Sequence, residues 1–396
     1  MNVKTITTTY ETSLVSDNYT NREEGSKLSR LRRRLSSRKE DTPTNHQTSS
    51  TPKRYSFTYD YDELVIGQST NQNTTTAVML IHPIGVGIGR WYYDRLLQSL
   101  KVKYDDINTR IVFIAPDLLG SATACGPLVD SDTEPSTDKL PLLNITDWSD
   151  QVSHLMSEYE TKSMEEGHQI VNWSIVANGG CAPIALKVAA DRTKETAPFK
   201  ASVTNVIISS PPRLPFFIES NTDSKKVHKS YRTLSGIVGK AFWWYSLRKN
   251  GKFIQKFSEK NLIQDPANLG EEWLPNCLAA STSFNGQSKY STFAFLAGCL
   301  QDGCIDSLNT LKGSNVAIDI IRGEDKRRNS AKSVFWSKKQ KKSSCDEIET
   351  NKDDTIQQYV SRNGNRGNEI YVKGRISLAW EDADGFATGL MKHISK

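Results

Sequence analysis

One stretch constrains the fold more than any other: Ile170-Val171-Asn172-Trp173-Ser174-Ile175-Val176-Ala177-Asn178-Gly179-Gly180-Cys181-Ala182-Pro183. An apolar, β-branched run stops abruptly at Asn-Gly-Gly, and an Ala-rich amphipathic stretch, Ile184 to Ala190, follows. That order reads as strand, sharp turn, helix. Paired glycines supply the backbone angles of a tight turn and let a helix pack close to the strand it leaves.

Similar short apolar runs flank this one. Ala77-Val78-Met79-Leu80-Ile81, Ile111-Val112-Phe113-Ile114-Ala115, Val203 to Ser209 and Val316 to Ile321 are continuous enough for strands buried on both faces. Tyr55 to Ile66 alternates aromatic and polar residues, as a half-buried strand does, and a last short strand is expected near Glu369–Lys373. Helical spacing separates the runs, at Trp91–Leu100, Asn144–Ser163 and Asp382–Ile394. The expected fold class is therefore α/β, with a mostly parallel central sheet and helices on both faces.

Residues 213–300 break that rhythm. Strand signals vanish, and helical, aromatic-rich segments take their place: Leu234–Leu247, Phe253–Asn261, Glu271–Ala280 and Tyr290–Gly298. This stretch reads as a helical lid between two parts of one core, 55–212 and 301–396. Residues 1–54 are Ser/Thr-rich, carry 11 Lys/Arg against 6 Asp/Glu, and read as a disordered basic tail. The Lys/Ser-rich segment at about 326–354 reads as a disordered basic insertion.

With tail and insertion set aside, the net charge of +6 leaves a slightly acidic remainder, which argues against a nucleic-acid groove. No run of 18 apolar residues suggests a transmembrane helix. The six Cys, at 125, 181, 277, 299, 304 and 345, form no CxxC pair and no zinc spacing. Neither metal nor cofactor is implied, and a reduced intracellular compartment, the cytoplasm by default, is expected.

On order and spacing, the chain from about Tyr55 to Ile394 resembles the α/β-hydrolase superfamily. The resemblance rests on His82-Pro83-Ile84-Gly85 after one strand, Pro116-Asp117-Leu118-Leu119-Gly120 after the next, the Asn-Gly-Gly turn, the helical lid, Gly323-Glu324-Asp325 after a later strand, and Trp380-Glu381 before the last helix. More narrowly it resembles a branch known from plants, algae and cyanobacteria, which shares the Gly-Val-Gly loop, a Gln/Asn-Gly-Gly elbow and a Gly-Arg…Trp-Glu terminus. Membership of that branch would make a plastid location possible.

The superfamily's chemistry uses a Gly-x-Ser-x-Gly nucleophile elbow, with a His base oriented by an acid. Aligned on Gly179, the nucleophile slot here holds Ala177; aligned on Gly180, it holds Asn178. Neither side chain attacks a carbonyl. Asp325 fits the acid's place, while counting back from Trp380-Glu381 puts Arg375 or Ile376 where the base belongs. An Asp325–Arg375 ion pair would explain an acid retained without its usual partner. In the oxyanion loop, His82 reads as structural, and since Pro83 has no N–H, a donor would come from Ile84 or Gly85.

Cys181 reads as a displaced nucleophile at a helix N-terminus or as a small buried packing residue. Asn178 reads as a polar group at a pocket mouth or as a turn former. Together with Gly179, Trp243 and Trp244 they form a candidate pocket, although tryptophans at helical spacing also serve as plain lid core. The leading expectation is a protein without a working Ser triad that binds a small apolar ligand or a protein partner. The alternative is an esterase-like hydrolase or lyase with a non-standard site around Asn178 and Cys181.

Overall fold

A computed structural model describes residues 4–13, 54–68, 74–125, 142–194, 201–212, 214, 224–248, 251–300, 303–325, 354–364 and 366–394. The expectations of disorder over 14–53 and 326–353 lie outside these residues.

The core is one eight-stranded sheet. In chain order its strands are β1 (Lys4–Ser13), β2 (Arg54–Ile66), β3 (Thr74–Ile81), β4 (Ile111–Pro116), β5 (Gln169–Asn178), β6 (Ser202–Ser209), β7 (Ala317–Gly323) and β8 (Glu369–Val372). Their order across the sheet is β1-β2-β4-β3-β5-β6-β7-β8. From β4 to β8 every neighbouring pair is parallel, whereas β2 runs antiparallel to both β1 and β4. β5 therefore lies at the centre, where strands are covered on both faces, and its last six residues are all buried.

One correction concerns the N-terminus. Lys4–Ser13, read from composition as part of a disordered tail, is an edge strand paired residue by residue with Arg54–Glu63. Its Thr-rich sequence suits a pleated surface. Thr7 donates to Asp60 at 2.7 Å, and Thr8 donates to Glu158 at 2.8 Å.

The helices that cover the sheet begin with α1 (Asp94–Tyr104), α2 (Ile145–Glu165) and α3 (Ala182–Lys194). Asn144 starts α2 with a reciprocal cap: its side chain accepts from Thr146 and Asp147, and the Asp147 carboxylate accepts from the Asn144 amide. Between α2, α3 and β5, the carboxylate of Glu160 accepts from Trp173 at 2.7 Å and from Arg192 at 2.6 Å, so the buried charge is paired.

Among the described residues of 224–300 there is no strand. The lid consists of α4 (Ser224–Ser235), α5 (Ile237–Phe242), α6 (Lys252–Phe257), α7 (Trp273–Gly286) and α8 (Lys289–Ala297). The helix expected over Leu234–Leu247 is instead broken at Gly236, and the chain continues past α5 in a wide π turn, Trp243–Arg248. After the lid come α9 (Cys304–Leu311), α10 (Asp354–Arg362), the short α11 (Leu378–Glu381) and the terminal α12 (Ala383–Ile394).

Three indoles lock lid to core. Trp91, Trp273 and Trp380 pack edge to face, with each pair of ring centroids 5.2 Å apart. Trp380 donates to the carbonyl of Leu269, and Trp273 donates to the hydroxyl of Ser258, both at 2.9 Å. Arg95 lies over the Trp380 ring at 4.1 Å and pairs with Glu272.

Candidate functional site

β5 ends at Asn178, a short 3-10 turn spans Gly179–Cys181, and α3 begins at Ala182. The one left-handed residue in this turn is Gly179, at φ +48°. A nucleophile elbow presents its side chain from such a sharp strand-to-helix turn. The corner of the turn thus belongs to Gly179, itself buried, one residue beyond Asn178 and two beyond Ala177. Ala177 and Asn178 are still strand, paired with Ile208 and Ser209. A Cβ at Gly179 would meet nothing closer than the Ser210 carbonyl oxygen at 3.5 Å, so the corner lacks a side chain without being too crowded for one.

Asn178 faces inward and is 4% exposed. Its amide nitrogen donates to the Tyr92 hydroxyl at 3.0 Å and to the Ile376 carbonyl at 3.2 Å. It therefore ties three segments together: the end of β5, the turn before α1 and the loop after β8. The Tyr92 hydroxyl is also hydrogen-bonded to Ser377.

That loop carries the two residues read as standing in the base's place. Ile376 contributes its carbonyl to Asn178. Arg375 directs its guanidinium at Asp325, with Nε 2.8 Å from the carboxylate and only 11% and 4% of the two side chains exposed. A further Arg375 nitrogen donates to the Lys260 carbonyl in the lid. The Glu381 carboxylate accepts from the Arg375 amide at 2.9 Å and from Gln264 and Asp265 at 2.6 and 3.0 Å, so the Trp-Glu pair joins this loop to the lid. His393 lies elsewhere, its Nδ1 3.1 Å from Asp319 inside β7.

The loop after β3, where the sequence suggests an oxyanion loop, is fixed from below and covered from above. His82 is completely buried; its Nε2 accepts from the Leu118 amide at 3.0 Å, and Nδ1 donates to the Pro83 carbonyl at 3.0 Å. Burial lowers its pKa and favours the neutral ring. Above the loop, Thr292 of α8 donates to the Gly85 carbonyl at 3.1 Å. At Gly87, φ +68°, a Cβ would lie 1.9 Å from the Cys277 carbonyl oxygen, so α7 rests directly on this backbone. Phe295 of α8 does the same at the elbow, where a Gly180 Cβ would lie 2.8 Å from its ring. Sequence reading missed Phe295, Tyr92 and Ser209 because nothing local marks them; only the fold brings them to the elbow.

Cys181 is 1% exposed, and burial pushes its thiol up to about 12, although a hydrogen bond with the Ile84 backbone opposes the shift. At neutral pH it is a thiol, not a thiolate. Trp243 is buried and packs edge to face on Phe293 at 5.8 Å, whereas Trp244 is 48% exposed. The residues grouped as a candidate pocket thus have different partners: Asn178 meets Tyr92 and Ile376, Cys181 the Ile84 backbone, and Trp243 Phe293 of α8. Among the described residues no group of three or more His, Cys, Asp or Glu is placed to hold a metal ion, and no helix is long and apolar enough to cross a membrane.

No family model matches the sequence, and no curated protein matches it. Solved structures do. The peroxisomal α/β-hydrolase of Saccharomyces cerevisiae superposes with a TM-score of 0.54 at 12% identity, over 99% of this chain and 88% of that one. A putative α/β hydrolase from Nostoc sp. PCC 7120 gives 0.52 at 10% identity, over 84% of this chain and 94% of that one. A probable hydrolytic enzyme from Pseudomonas aeruginosa gives 0.51 at 10% identity, over 89% and 92%. Identity this low speaks for architecture and not for chemistry. Together with the strand order and the strand–turn–helix at Gly179, these likenesses establish that the chain has the α/β-hydrolase fold.

Proposed function

We propose that this is a non-catalytic protein on the α/β-hydrolase fold, acting by binding a small apolar ligand or a protein partner. The observation that carries the reading is Gly179 at the left-handed corner of the elbow, where a Ser-triad enzyme presents its nucleophile. Asp325 and Arg375 support it. An acid in a triad orients a His; here the carboxylate is engaged by a guanidinium, which offers donors only and no acceptor to serve as a base. The alternative of an esterase-like hydrolase or lyase working through Asn178 and Cys181 has less support. Asn178 spends its amide on structural bonds, and Cys181 is a buried, protonated thiol.

A small ligand would enter between sheet and lid by displacing Phe295 from Gly180. The test is binding without turnover. Short-chain p-nitrophenyl esters are expected to raise the melting temperature of the full chain while hydrolysing at the buffer rate, and a fluorophosphonate probe is expected to leave the protein unlabelled. Hydrolysis well above buffer that persists in Cys181→Ala would overturn the non-catalytic reading. The absence of any thermal shift would remove the small-ligand arm and leave the protein partner.

A further inference from the structure

The outer half of the lid, residues 224–262, carries ten Lys/Arg and one acidic residue, Glu259. Without this stretch the chain's formal charge of +6 would be −3. Lys225, Lys226, Lys229, Arg232, Lys240, Lys252, Lys256 and Lys260 are all exposed.

The apolar residues of the same region are arranged opposite to those of an ordinary surface helix. From Ile237 to Tyr245 only Gly239 and Trp243 are buried. Gly239 lies against the Leu234 backbone, so closely that no Cβ would fit, and Trp243 packs on Phe293. These two residues, one helical turn apart, anchor the segment. The residues left facing water are mostly apolar: Ile237 is 87% exposed, Val238 78%, Tyr245 65%, Trp244 48% and Phe242 44%. The patch continues onto α6, where Phe253 packs edge to face on Phe242 at 6.2 Å and stacks on Phe257 at 6.2 Å. A contiguous exposed apolar surface of this kind marks an interaction site.

We propose that α4, α5 and α6 form a docking surface for an anionic lipid bilayer, with Ile237, Val238, Phe242, Trp244 and Tyr245 entering the headgroup–acyl boundary. Three observations select this occupant. The charge is one-sided and basic, which suits anionic headgroups. The mixture of Trp, Tyr and Phe with Lys suits an interface where rings sit at headgroup depth and lysine stems extend toward phosphates. Neither long basic segment of the chain, 14–53 or 326–353, complements this charge, and a second copy would bring the same positive surface. The proposal does not rest on the non-catalytic reading.

The test is co-sedimentation of the full chain with vesicles of phosphatidylcholine alone and of phosphatidylcholine with 30% phosphatidylserine. Binding is expected to the mixed vesicles only and to weaken as salt rises toward physiological strength. Ile237→Asp/Val238→Asp, at positions exposed enough not to disturb folding, is expected to lower binding at least about tenfold. Lys240→Ala/Lys252→Ala/Lys256→Ala is expected to lower it on the order of a hundredfold. The proposal is overturned if the wild-type chain ignores anionic vesicles at low salt. It is equally overturned if both lid variants bind like wild type while loss of Arg32, Arg33 and Arg34 abolishes binding, or if the same substitutions abolish binding to a single-stranded oligonucleotide and leave vesicle binding unchanged.

Discussion

Arg375 and Asp325 face each other at 2.8 Å across the loops that follow β8 and β7, nearly sealed from water. In this fold a carboxylate after β7 and a residue in the loop after β8 are where an acid and its His would meet. Here the pair is an ion pair, which holds the loop in place and also reaches the lid through Lys260. Removing one partner of a buried pair leaves a desolvated charge without its compensation. Arg375→Ala is therefore expected to destabilise the protein by about 3 kcal/mol, near the low end for such pairs because the guanidinium is slightly exposed. Urea unfolding checks it: a midpoint within error of wild type would show the pair to be incidental.

Gly179→Ser should fold and stay inert. The added Cβ has room, but a non-glycine residue at φ +48° costs roughly 1–2 kcal/mol. The new hydroxyl would have no base, since Arg375 is committed to Asp325. Ester hydrolysis by the variant is expected to match wild type; a burst of acyl-enzyme would reveal a base supplied from elsewhere in the chain.

Gly87→Ala should loosen the lid while sparing the sheet. Its Cβ would run into the Cys277 backbone, which cannot yield unless α7 moves, and the positive φ adds strain. Faster proteolysis within 224–297 is expected, with the core fragment persisting. Unchanged cleavage would mean that α7 does not rest on this loop in solution.

His82 predicts a pH dependence. Burial depresses its folded pKa below the ordinary value near 6.5, so between the two values the unfolded chain binds the extra proton. The stability attached to the neutral ring is fully present above the unfolded pKa and declines as pH falls below about 6.5 toward the depressed value. His82→Asn should lower stability at neutral pH through the lost bond from the Leu118 amide, and should flatten the slope that sets in as pH falls below about 6.5. Parallel stability curves for the two proteins would refute the assignment.

The division between what sequence reveals and what it hides is physical. The strands β3 to β7 are legible because continuous apolar runs have few places to go other than the middle of a sheet. The lack of a side-chain nucleophile at this turn is legible too, because none of Ala177, Asn178, Gly179 or Gly180 carries one. Which residue occupies the corner is not legible. Gly179 and Gly180 are locally equivalent, and pairing of Asn178 with Ser209, reinforced by its bonds to Tyr92 and Ile376, carries the strand one residue further and puts the turn at Gly179. Lys4–Ser13 is hidden for a similar reason: a Thr-rich segment becomes a strand only when a partner offers a register, and that partner lies some 50 residues later in the chain. The meeting of Arg375 with Asp325, and of Phe295 with Gly180, depends on contacts between distant segments that local pattern does not encode. Sequence alone determined the scaffold and the absence of a side-chain nucleophile from the Asn-Gly-Gly turn; tertiary packing decided which residue stands at its corner and which distant side chains meet around it.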